Sequence, residues 1–316
     1  MNYKIFGYLL IMIMYIANYT GAYADSCIIH TLGPVNILGS GVPIVIEAKL
    51  NDKEVGFIIN TTLPKSVIYR KYENDNDVHV EHATDSIFGL GGYSNEKKIW
   101  AWKLRIGTAE IEKAQFEEAD EKDEPISPLP IVGEIGNDIL SLYDLDINIP
   151  KKTISFYQTE GCGSVPPIWK GKIWAVPTSY RTPPLNGRLV SSVEDNIIQS
   201  GYNGNKIKIA MKIGDEKKIG VLDTSARNTS VSDKYKIHEY NLFRSNKYYD
   251  NGIVTSGRNK FISNLSIGPL EMKDATIYLD NSYDNENIIG ADFLKYMEVW
   301  IPAEGGEIYV TNIVSK

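Results

Sequence analysis

Short runs of apolar and polar residues follow one another along this chain, in the spacing typical of half-buried strands. The clearest runs in the first half are residues 44–50, 100–106, 144–150 and 152–157. Asn, Asp, Gly and Pro separate the runs and supply the backbone conformations that tight turns need. Residues 110–124 carry an acidic excess and end at a proline, so we expect a solvated loop there. The pattern predicts a protein built from strands.

The strand pattern of the first half recurs in the second. Residues 55–62 read Val-Gly-Phe-Ile-Ile-Asn-Thr-Thr, and residues 218–225 read Lys-Ile-Gly-Val-Leu-Asp-Thr-Ser. Each copy is an apolar run that ends in a polar triplet. The later motif Ile135-Gly-Asn-Asp-Ile-Leu140 is repeated as Ile289-Gly-Ala-Asp-Phe-Leu294. Two copies predict a bilobal, pseudo-two-fold protein and not a solenoid, which needs three or more repeats.

The repeat also divides the chain. Its 316 residues are enough for two lobes with their own cores. We predict an N-terminal lobe over residues 25–157 and a C-terminal lobe over residues 206–316. Between them, residues 158–205 contain paired prolines and no counterpart of a repeated motif. We expect this segment to be a surface connector with one or two strands around residues 173–177.

The N-terminus has the pattern of a signal peptide. Lys4 precedes an apolar run over residues 5–16, which is too short to span a bilayer. The run is followed by Ala22-Tyr-Ala24, a signal-peptidase cleavage pattern. We therefore predict a signal peptide over residues 1–24 and an exported protein, either periplasmic or secreted. An uncleaved membrane anchor is the alternative, and no membrane span is expected after cleavage.

Two cysteines, Cys27 and Cys162, remain in the predicted mature protein. In an oxidising compartment an isolated pair favours a disulfide, and two buried thiols are the alternative. Neither cysteine has a ligand neighbour at zinc-site spacing, so no metal site and no cofactor are predicted.

Composition narrows the range of partners. Apolar residues make up 43% and charged residues 23% of the chain, as in ordinary soluble globular proteins. The formal net charge is -7 and no basic run is present. Nucleic-acid binding therefore has no electrostatic basis here.

The polar triplets are the candidates for chemistry. A triplet at the end of a buried strand is placed to meet its symmetry mate where the two lobes join. Two carboxylates that meet there share one proton, because close like charges cannot both ionise readily. Such a pair can activate a water with one member and protonate a carbonyl with the other. In this chain one triplet begins with Asp223 and the other with Asn60.

The motifs resemble those of aspartic peptidases of the retropepsin and pepsin type. The family pattern is apolar-apolar-Asp-Thr-Gly, then Ala and a Ser/Thr-apolar run, followed later by apolar-apolar-Gly-x-Asp-x-Leu. Val221-Leu-Asp-Thr-Ser-Ala226 and residues 289–294 match it well, while Ile58-Ile-Asn-Thr-Thr62 and residues 135–140 match more loosely. The chain looks most like tandem retropepsin-like proteins exported by bacteria. The resemblance covers about residues 36–157 and 206–312.

The resemblance implies an all-β, bilobal acid-protease fold, in which two pseudo-two-fold-related β lobes enclose an interlobe cleft. A peptide or protein ligand would lie extended in that cleft, and the protein would be a monomer because both lobes are in one chain. Asp223 matches one catalytic aspartate, and Asn60 occupies the degenerate position of the other. Thr61 and Thr224 match the family's threonine, whose hydroxyl braces one loop against the other.

Two features depart from the family or resemble it less clearly. Thr62 and Ser225 replace glycine, which adds side chains where the family's backbone approaches substrate and water. The glycine-rich turn over residues 88–93 resembles a flap. Its candidate residues are Gly89, Gly91, Gly92 and Tyr93.

Asn60 decides between the possible functions. Asparagine has the shape of aspartate but cannot exchange a proton, and loss of one acid–base partner costs about 10²–10⁴ in rate. Asp138 and Asp292, inside the glycine motifs, are expected to be structural and not substitutes. We therefore expect an impaired or inactive peptidase-like protein that binds an extended peptide or a protein partner. The alternatives are an active aspartic endopeptidase that uses a water activated at Asp223, and a structural β-module with an occluded cleft.

Overall fold

The structure, a computed structural model, describes most of the two predicted lobes. The described residues are 27–74, 78–89, 92–120, 127–160, 162, 168–169, 172–178, 206–232, 243–244, 248–250, 253–255, 259–280, 286–303 and 306–312. The predicted signal peptide over residues 1–24 and Gly91 of the predicted flap lie outside them. Within these ranges, no helix has the length and apolar character needed to cross a bilayer.

Strands dominate the described part of the chain. In the first half they are β1 (Ile28–Leu38), β2 (Val45–Leu50), β3 (Lys53–Ile59), β4 (Val67–Tyr69), β5 (His79–Gly89), β6 (Gly92–Ile106), β7 (Ala109–Ala119), β8 (Ile131–Ile135), β9 (Asp144–Asn148) and β10 (Thr153–Glu160). They continue as β11 (Trp174–Pro177), β12 (Lys208–Ile213), β13 (Glu216–Leu222), β14 (Ser230–Ser232), β15 (Phe243–Arg244), β16 (Tyr248–Asp250), β17 (Ile253–Thr255), β18 (Asn259–Ile267), β19 (Leu270–Asp280), β20 (Asn287–Ile289), β21 (Met297–Ile301) and β22 (Glu307–Asn312). The helical elements among the described residues are a 3-10 turn at Arg70–Tyr72 and two single-turn helices, α1 (Asn137–Leu140) and α2 (Ala291–Leu294).

In each half, six strands close into a ring. The first ring runs β2–β3–β8–β4–β7–β6, and β6 pairs back with β2. The second runs β12–β13–β20–β14–β19–β18, and β18 pairs back with β12. Because the strands of the two rings correspond one to one in the same order, the two halves share the same topology. The predicted all-β, two-lobed architecture is confirmed.

A further set of strands joins the two lobes. It runs β1–β10–β9 on one side and β21–β22–β11 on the other, with β9 and β21 antiparallel at its centre. Asn148 lies opposite Glu298, and Leu145 lies opposite Ile301. The pseudo-two-fold axis therefore passes between β9 and β21.

The predicted strand around residues 173–177 of the connector is confirmed as β11, Trp174–Pro177. The strand β10 continues to Glu160, past the expected end of the first lobe at residue 157. The strand β11 pairs with β22 as β1 pairs with β10, so it is the counterpart of β1. The two strands differ in length and sequence, and their correspondence lies in this backbone pairing.

The expectation of a loop over residues 110–124 was wrong for most of that segment. The strand β7 occupies Ala109–Ala119 and pairs with both β6 and β4. Its Ala114 and Phe116 are buried, while Glu112 and Gln115 are exposed. The acidic excess therefore marks the solvent face of a half-buried strand.

In the part of the chain that the structure describes, the buried apolar residues form two clusters. The larger one extends through both lobes and includes Phe57, Phe116, Phe261 and Phe293. The smaller one lies in the first lobe, and we call it the small cluster. Its buried members are Val45, Ile58, Val67, Tyr69 and Ile131.

The predicted disulfide is confirmed. Cys27 and Cys162 are bonded, with Cα atoms 4.4 Å apart. They lie just beyond the end of the β1–β10 ladder, where Ile28 is opposite Glu160. The bond therefore fastens the outer end of β1 to the chain that leaves β10.

Candidate active site

Each polar triplet starts directly after a buried strand. Asn60 follows the last residue of β3, and Asp223 follows the last residue of β13. The backbone N–H of Asn60 donates to the carbonyl oxygen of Ile135 at 3.0 Å, and that of Asp223 donates to Ile289 at 3.0 Å. Each triplet is thus tied to the strand that leads into its glycine motif.

Thr61 and Thr224 connect the two triplets. The Thr61 hydroxyl donates to the carbonyl oxygen of Leu222 at 2.7 Å, and the Thr224 hydroxyl donates to that of Ile59 at 2.6 Å. The N–H of each threonine donates to the other's hydroxyl, at 3.2 and 3.3 Å. Both residues are buried. These reciprocal bonds bring the first residues of the two triplets to one junction between the lobes.

The side-chain oxygen Oδ1 of Asn60 and that of Asp223 accept equivalent sets of hydrogen bonds. Oδ1 of Asn60 accepts the hydroxyl and N–H of Thr62 at 2.7 and 2.9 Å and the N–H of Leu63 at 3.0 Å. Oδ1 of Asp223 accepts the hydroxyl and N–H of Ser225 at 2.7 and 2.9 Å and the next N–H at 3.2 Å. Because backbone N–H groups only donate, the atom that receives them in Asn60 is its oxygen.

The same contacts show which atoms the hydroxyls of Thr62 and Ser225 bind. The Thr62 hydroxyl donates back to Asn60, and the Ser225 hydroxyl donates back to Asp223. Ser225 is buried and Thr62 is partly buried. Both hydroxyls therefore add a donor to the carboxyl or amide oxygen of their own triplet.

The two positions differ at their second terminal atom. Nδ2 of Asn60 donates to Oε2 of Glu134 at 2.6 Å. Glu134 is only 1% exposed, and its Oε1 accepts the hydroxyl of Tyr69 at 3.1 Å. Oδ2 of Asp223 receives no hydrogen bond from the described residues. Among the described residues, one triplet thus has a carboxylate oxygen with no hydrogen-bond donor, and the other has an amide bound to a buried acid.

Glu134 is a residue of this site that was not predicted from the sequence. It lies in β8, every residue of which is buried, and it takes the first apolar position of the glycine motif. In the second half that position is Ile288. A charged residue in an otherwise apolar, motif-bearing strand is the signal that could have identified it.

Asp138 and Asp292 are engaged within their own lobes. Oδ1 of Asp138 accepts the N–H and hydroxyl of Ser66 at 2.9 and 2.7 Å. Oδ1 of Asp292 accepts the N–H and hydroxyl of Thr229 at 2.9 and 2.8 Å. Burial raises the pKa of Asp292, and the bonds from Thr229 lower it by less. Both residues fix the segment after a triplet against its glycine motif.

The predicted flap is part of a hairpin. Gly89 at the end of β5 lies opposite Gly92 at the start of β6, and Phe88 lies opposite Tyr93. Gly91 lies outside the described residues. That this hairpin covers the triplets remains a prediction.

A separate cavity of about 790 Å³ opens in the second lobe. Asp292, Tyr278, Phe293 and Tyr296 are among its lining residues, and neither Asn60 nor Asp223 is. The residues with candidate chemistry therefore lie elsewhere, and the site is defined by the triplets.

No protein-family profile matches this chain, and no curated protein sequence matches it. Among solved structures, the aspartic proteinase from Irpex lacteus is similar to it, with a TM-score of 0.50 and 11% sequence identity. The similarity covers 89% of this chain and 97% of that one. At this identity the likeness concerns the fold, and the retropepsin-like, bacterial part of the resemblance stays a prediction. The chain has the bilobal fold of an aspartic proteinase.

Proposed function

We propose that this chain is an exported aspartic-peptidase-like protein that binds an extended peptide or a protein partner and has little or no peptidase activity. The carrying observation is the amide at Asn60. Its oxygen takes the same three hydrogen bonds as Oδ1 of Asp223, so it occupies the position of a second catalytic carboxyl group. An amide in that position has no acidic proton and cannot act as a general acid or base.

The lack of an acidic proton at residue 60 affects one step of peptide hydrolysis, the protonation of the peptide carbonyl oxygen. Asp223 can act as a base through Oδ2, because its Oδ1 is occupied by three donors. A water activated there would attack a peptide carbonyl, whose oxygen then needs an acid. Asn60 cannot supply that proton, and its nitrogen already donates to Glu134. Loss of the acid lowers the rate by about 10²–10⁴, and by more where the two groups act as a unit.

Peptide binding makes no such demand on Asn60. The hydrogen bonds between Thr61 and Thr224 keep both triplets at one interlobe junction. In the family that the chain resembles, the extended peptide lies at this junction. The fold and the junction thus support a binding role that survives the loss of the acid.

Export is the second part of the proposal. The signal-peptide pattern over residues 1–24 supports it, as does the disulfide between Cys27 and Cys162, which an oxidising compartment favours. Mass spectrometry of the secreted or periplasmic protein should find Asp25 as the first residue. Light scattering should find a monomer, because one chain carries both lobes.

The central test compares wild type with Asp223→Ala on fluorescein-labelled unfolded casein, from acid to neutral pH. We expect no cleavage that depends on Asp223. Efficient cleavage that Asp223→Ala abolishes would overturn the proposal that peptidase activity is impaired, and would favour an active endopeptidase. Cleavage that survives in Asp223→Ala would come from elsewhere and would exclude the triplets as its source.

Binding is tested separately, by fluorescence anisotropy of labelled casein peptides. Wild type and Asp223→Ala should bind them equally, and Thr62→Arg should weaken binding at the junction. The matched control is Thr108→Arg at an exposed turn of the first lobe. Equal binding by both arginine variants would place the peptide away from the triplets. No binding by any variant would favour a structural β-module.

A further inference from the structure

We propose that Glu134 is a positioning residue for the first triplet, coupled to Asn60 so that a carboxyl group at residue 60 destabilises the folded protein above acid pH unless Glu134 is changed as well. The two side chains are in direct contact, through a 2.6 Å hydrogen bond from Nδ2 of Asn60 to Oε2 of Glu134. It joins residues from the loop after β3 and from the parallel neighbouring strand β8.

This contact completes the restraint on the Asn60 side chain. Its oxygen is held by three donors and its nitrogen by Glu134, so the amide has one defined orientation. Asn60 is 4% exposed and Glu134 is 1% exposed. Removing one member of such a buried pair leaves the other without its partner, which is strongly unfavourable.

Tyr69 holds Glu134 from the other side. Its hydroxyl donates to Oε1 of Glu134 at 3.1 Å, and its ring belongs to the small cluster. Asn60 from the β3 loop and Tyr69 from β4 are therefore the polar groups that these contacts bring to the Glu134 carboxyl group. Both of its oxygens accept a hydrogen bond.

The second lobe provides an internal comparison. Glu134 lies two residues before its motif glycine, and the equivalent residue is Ile288. The β4 position of Tyr69 corresponds to Ser232 in β14. The lobe with an aspartate in its triplet thus lacks both the buried acid and the tyrosine. The three differences occur at one place in the fold, as expected if the residues depend on one another.

A carboxyl group at residue 60 would conflict with this arrangement. Asn60→Asp places a second carboxyl oxygen where the amide nitrogen now donates to Glu134. Two carboxyl groups at that distance must share a proton, because they cannot both ionise. The single variant is therefore tolerated at acid pH and loses stability as the pH rises.

Glu134→Gln should relieve the conflict by reversing the polarity of the pair. The new side-chain amide can donate to the carboxylate at residue 60. Its oxygen can still accept the hydroxyl of Tyr69. The side chains at residues 60 and 134 then form a hydrogen bond whose donor and acceptor are reversed relative to the native pair.

The test measures thermal unfolding of Asn60→Asp, Glu134→Gln and the double variant at acid and neutral pH. Relative to wild type, we expect Asn60→Asp to lose about 4–10 °C in midpoint between acid and neutral pH. The double variant should show little of this pH-dependent loss. If Asn60→Asp does not fold at neutral pH, a folded double variant gives the same support.

Two results would overturn the coupling. One is an equal pH-dependent loss in the single and double variants, and the other is a double variant that fails to fold. Asn287→Asp, in the second lobe, is the matched control. Asn287 is buried, and its Nδ2 donates to a backbone carbonyl oxygen of the same lobe. Glu134→Gln should not rescue it, because distant sites contribute independently.

The coupling does not rest on the proposed function, and cleavage of casein separates the two. Cleavage by the double variant but not by Asn60→Asp supports both proposals. Rescue of stability without any cleavage supports the coupling. That result would count against the Asn60 amide as the sufficient cause of impaired peptidase activity.

Discussion

Thr61 and Thr224 each donate a hydroxyl to the end of a strand in the opposite lobe, at 2.7 Å to Leu222 and 2.6 Å to Ile59. Each hydroxyl also accepts the other threonine's N–H. Both side chains are buried, so these bonds are made out of contact with water. The junction between the lobes thus depends on two hydroxyl groups that serve as donor and acceptor at once.

Replacing either threonine with valine keeps its shape and removes its hydroxyl. Thr61→Val and Thr224→Val should each lower the free energy of unfolding by about 1–3 kcal/mol, because a buried carbonyl and a buried N–H lose their partner. The double variant should lose less than the sum, since the two threonines are in direct contact within one hydrogen-bonded network. Urea unfolding measures the effect. Thr311→Val, at a less buried hydroxyl, is the control, and equal losses there would contradict the prediction.

Substitution of the motif glycine should destabilise the protein in the same way in both lobes. A Cβ at Gly136 would lie 2.8 Å from the backbone oxygen of Leu63, and one at Gly290 would lie 2.5 Å from the carbonyl carbon of Asn228. Backbone must move in both cases, so Gly136→Ala and Gly290→Ala should each destabilise the protein by about 1–3 kcal/mol. Gly306→Ala, whose Cβ would meet nothing closer than 4.0 Å, is the control. Loss in only one lobe would argue against equivalent loops.

Asp146 in β9 should make stability depend on pH. Burial, with a smaller contribution from the carboxyl group of Glu298, raises the pKa of Asp146 to about 7. An unfolded carboxyl group has a pKa near 3.9, so the folded protein retains a proton that the unfolded chain releases. The stabilisation from this proton is therefore present at acid pH and is lost as the pH rises from about 4 to about 7.

Asp146→Asn removes the need for that proton. The variant should match wild type at acid pH and exceed it at neutral pH, by at most about 4 kcal/mol. Denaturant unfolding at a series of pH values measures the difference. Asp215→Asn at an exposed turn controls for the substitution itself. Parallel curves for wild type and Asp146→Asn would show that the carboxyl group does not titrate in this range.

The disulfide should contribute to the stability of the outer end of β1. Replacing both Cys27 and Cys162 with serine should lower the free energy of unfolding by about 2–4 kcal/mol. Amide hydrogen exchange should rise most near Ile28, which the bond fastens opposite Glu160. Each single cysteine variant should lose as much as the double variant, because either change removes the bond. Unchanged exchange in β1 would contradict this role.

The sequence predicted those parts of the fold that require particular residues. The motif glycines are visible because Gly136 and Gly290 sit where a Cβ would meet backbone. The triplet threonines are visible because the junction needs a short side chain that both donates and accepts a hydrogen bond. The equivalence of β1 and β11 was not visible, because pairing along a backbone ladder leaves the side chains free to differ.

The pairing of Asn60 with Glu134 could not be predicted for a different reason. The two residues are 74 positions apart and meet because β3 and β8 are parallel neighbours in a particular register. The sequence contains an acidic residue at an unexpected position in β8. The sequence alone does not identify the residue that donates a hydrogen bond to it. Identifying the partner required the strand order.

The antiparallel pairing of β9 with β21 makes the junction a meeting of two halves of one polypeptide. If two identical chains met in this way, any substitution at one triplet would appear in the other as well. Their association would also depend on concentration. Covalent continuity removes both conditions. One half can carry an amide beside a buried acid while the other keeps its aspartate, an asymmetry that no homodimer of identical subunits could encode.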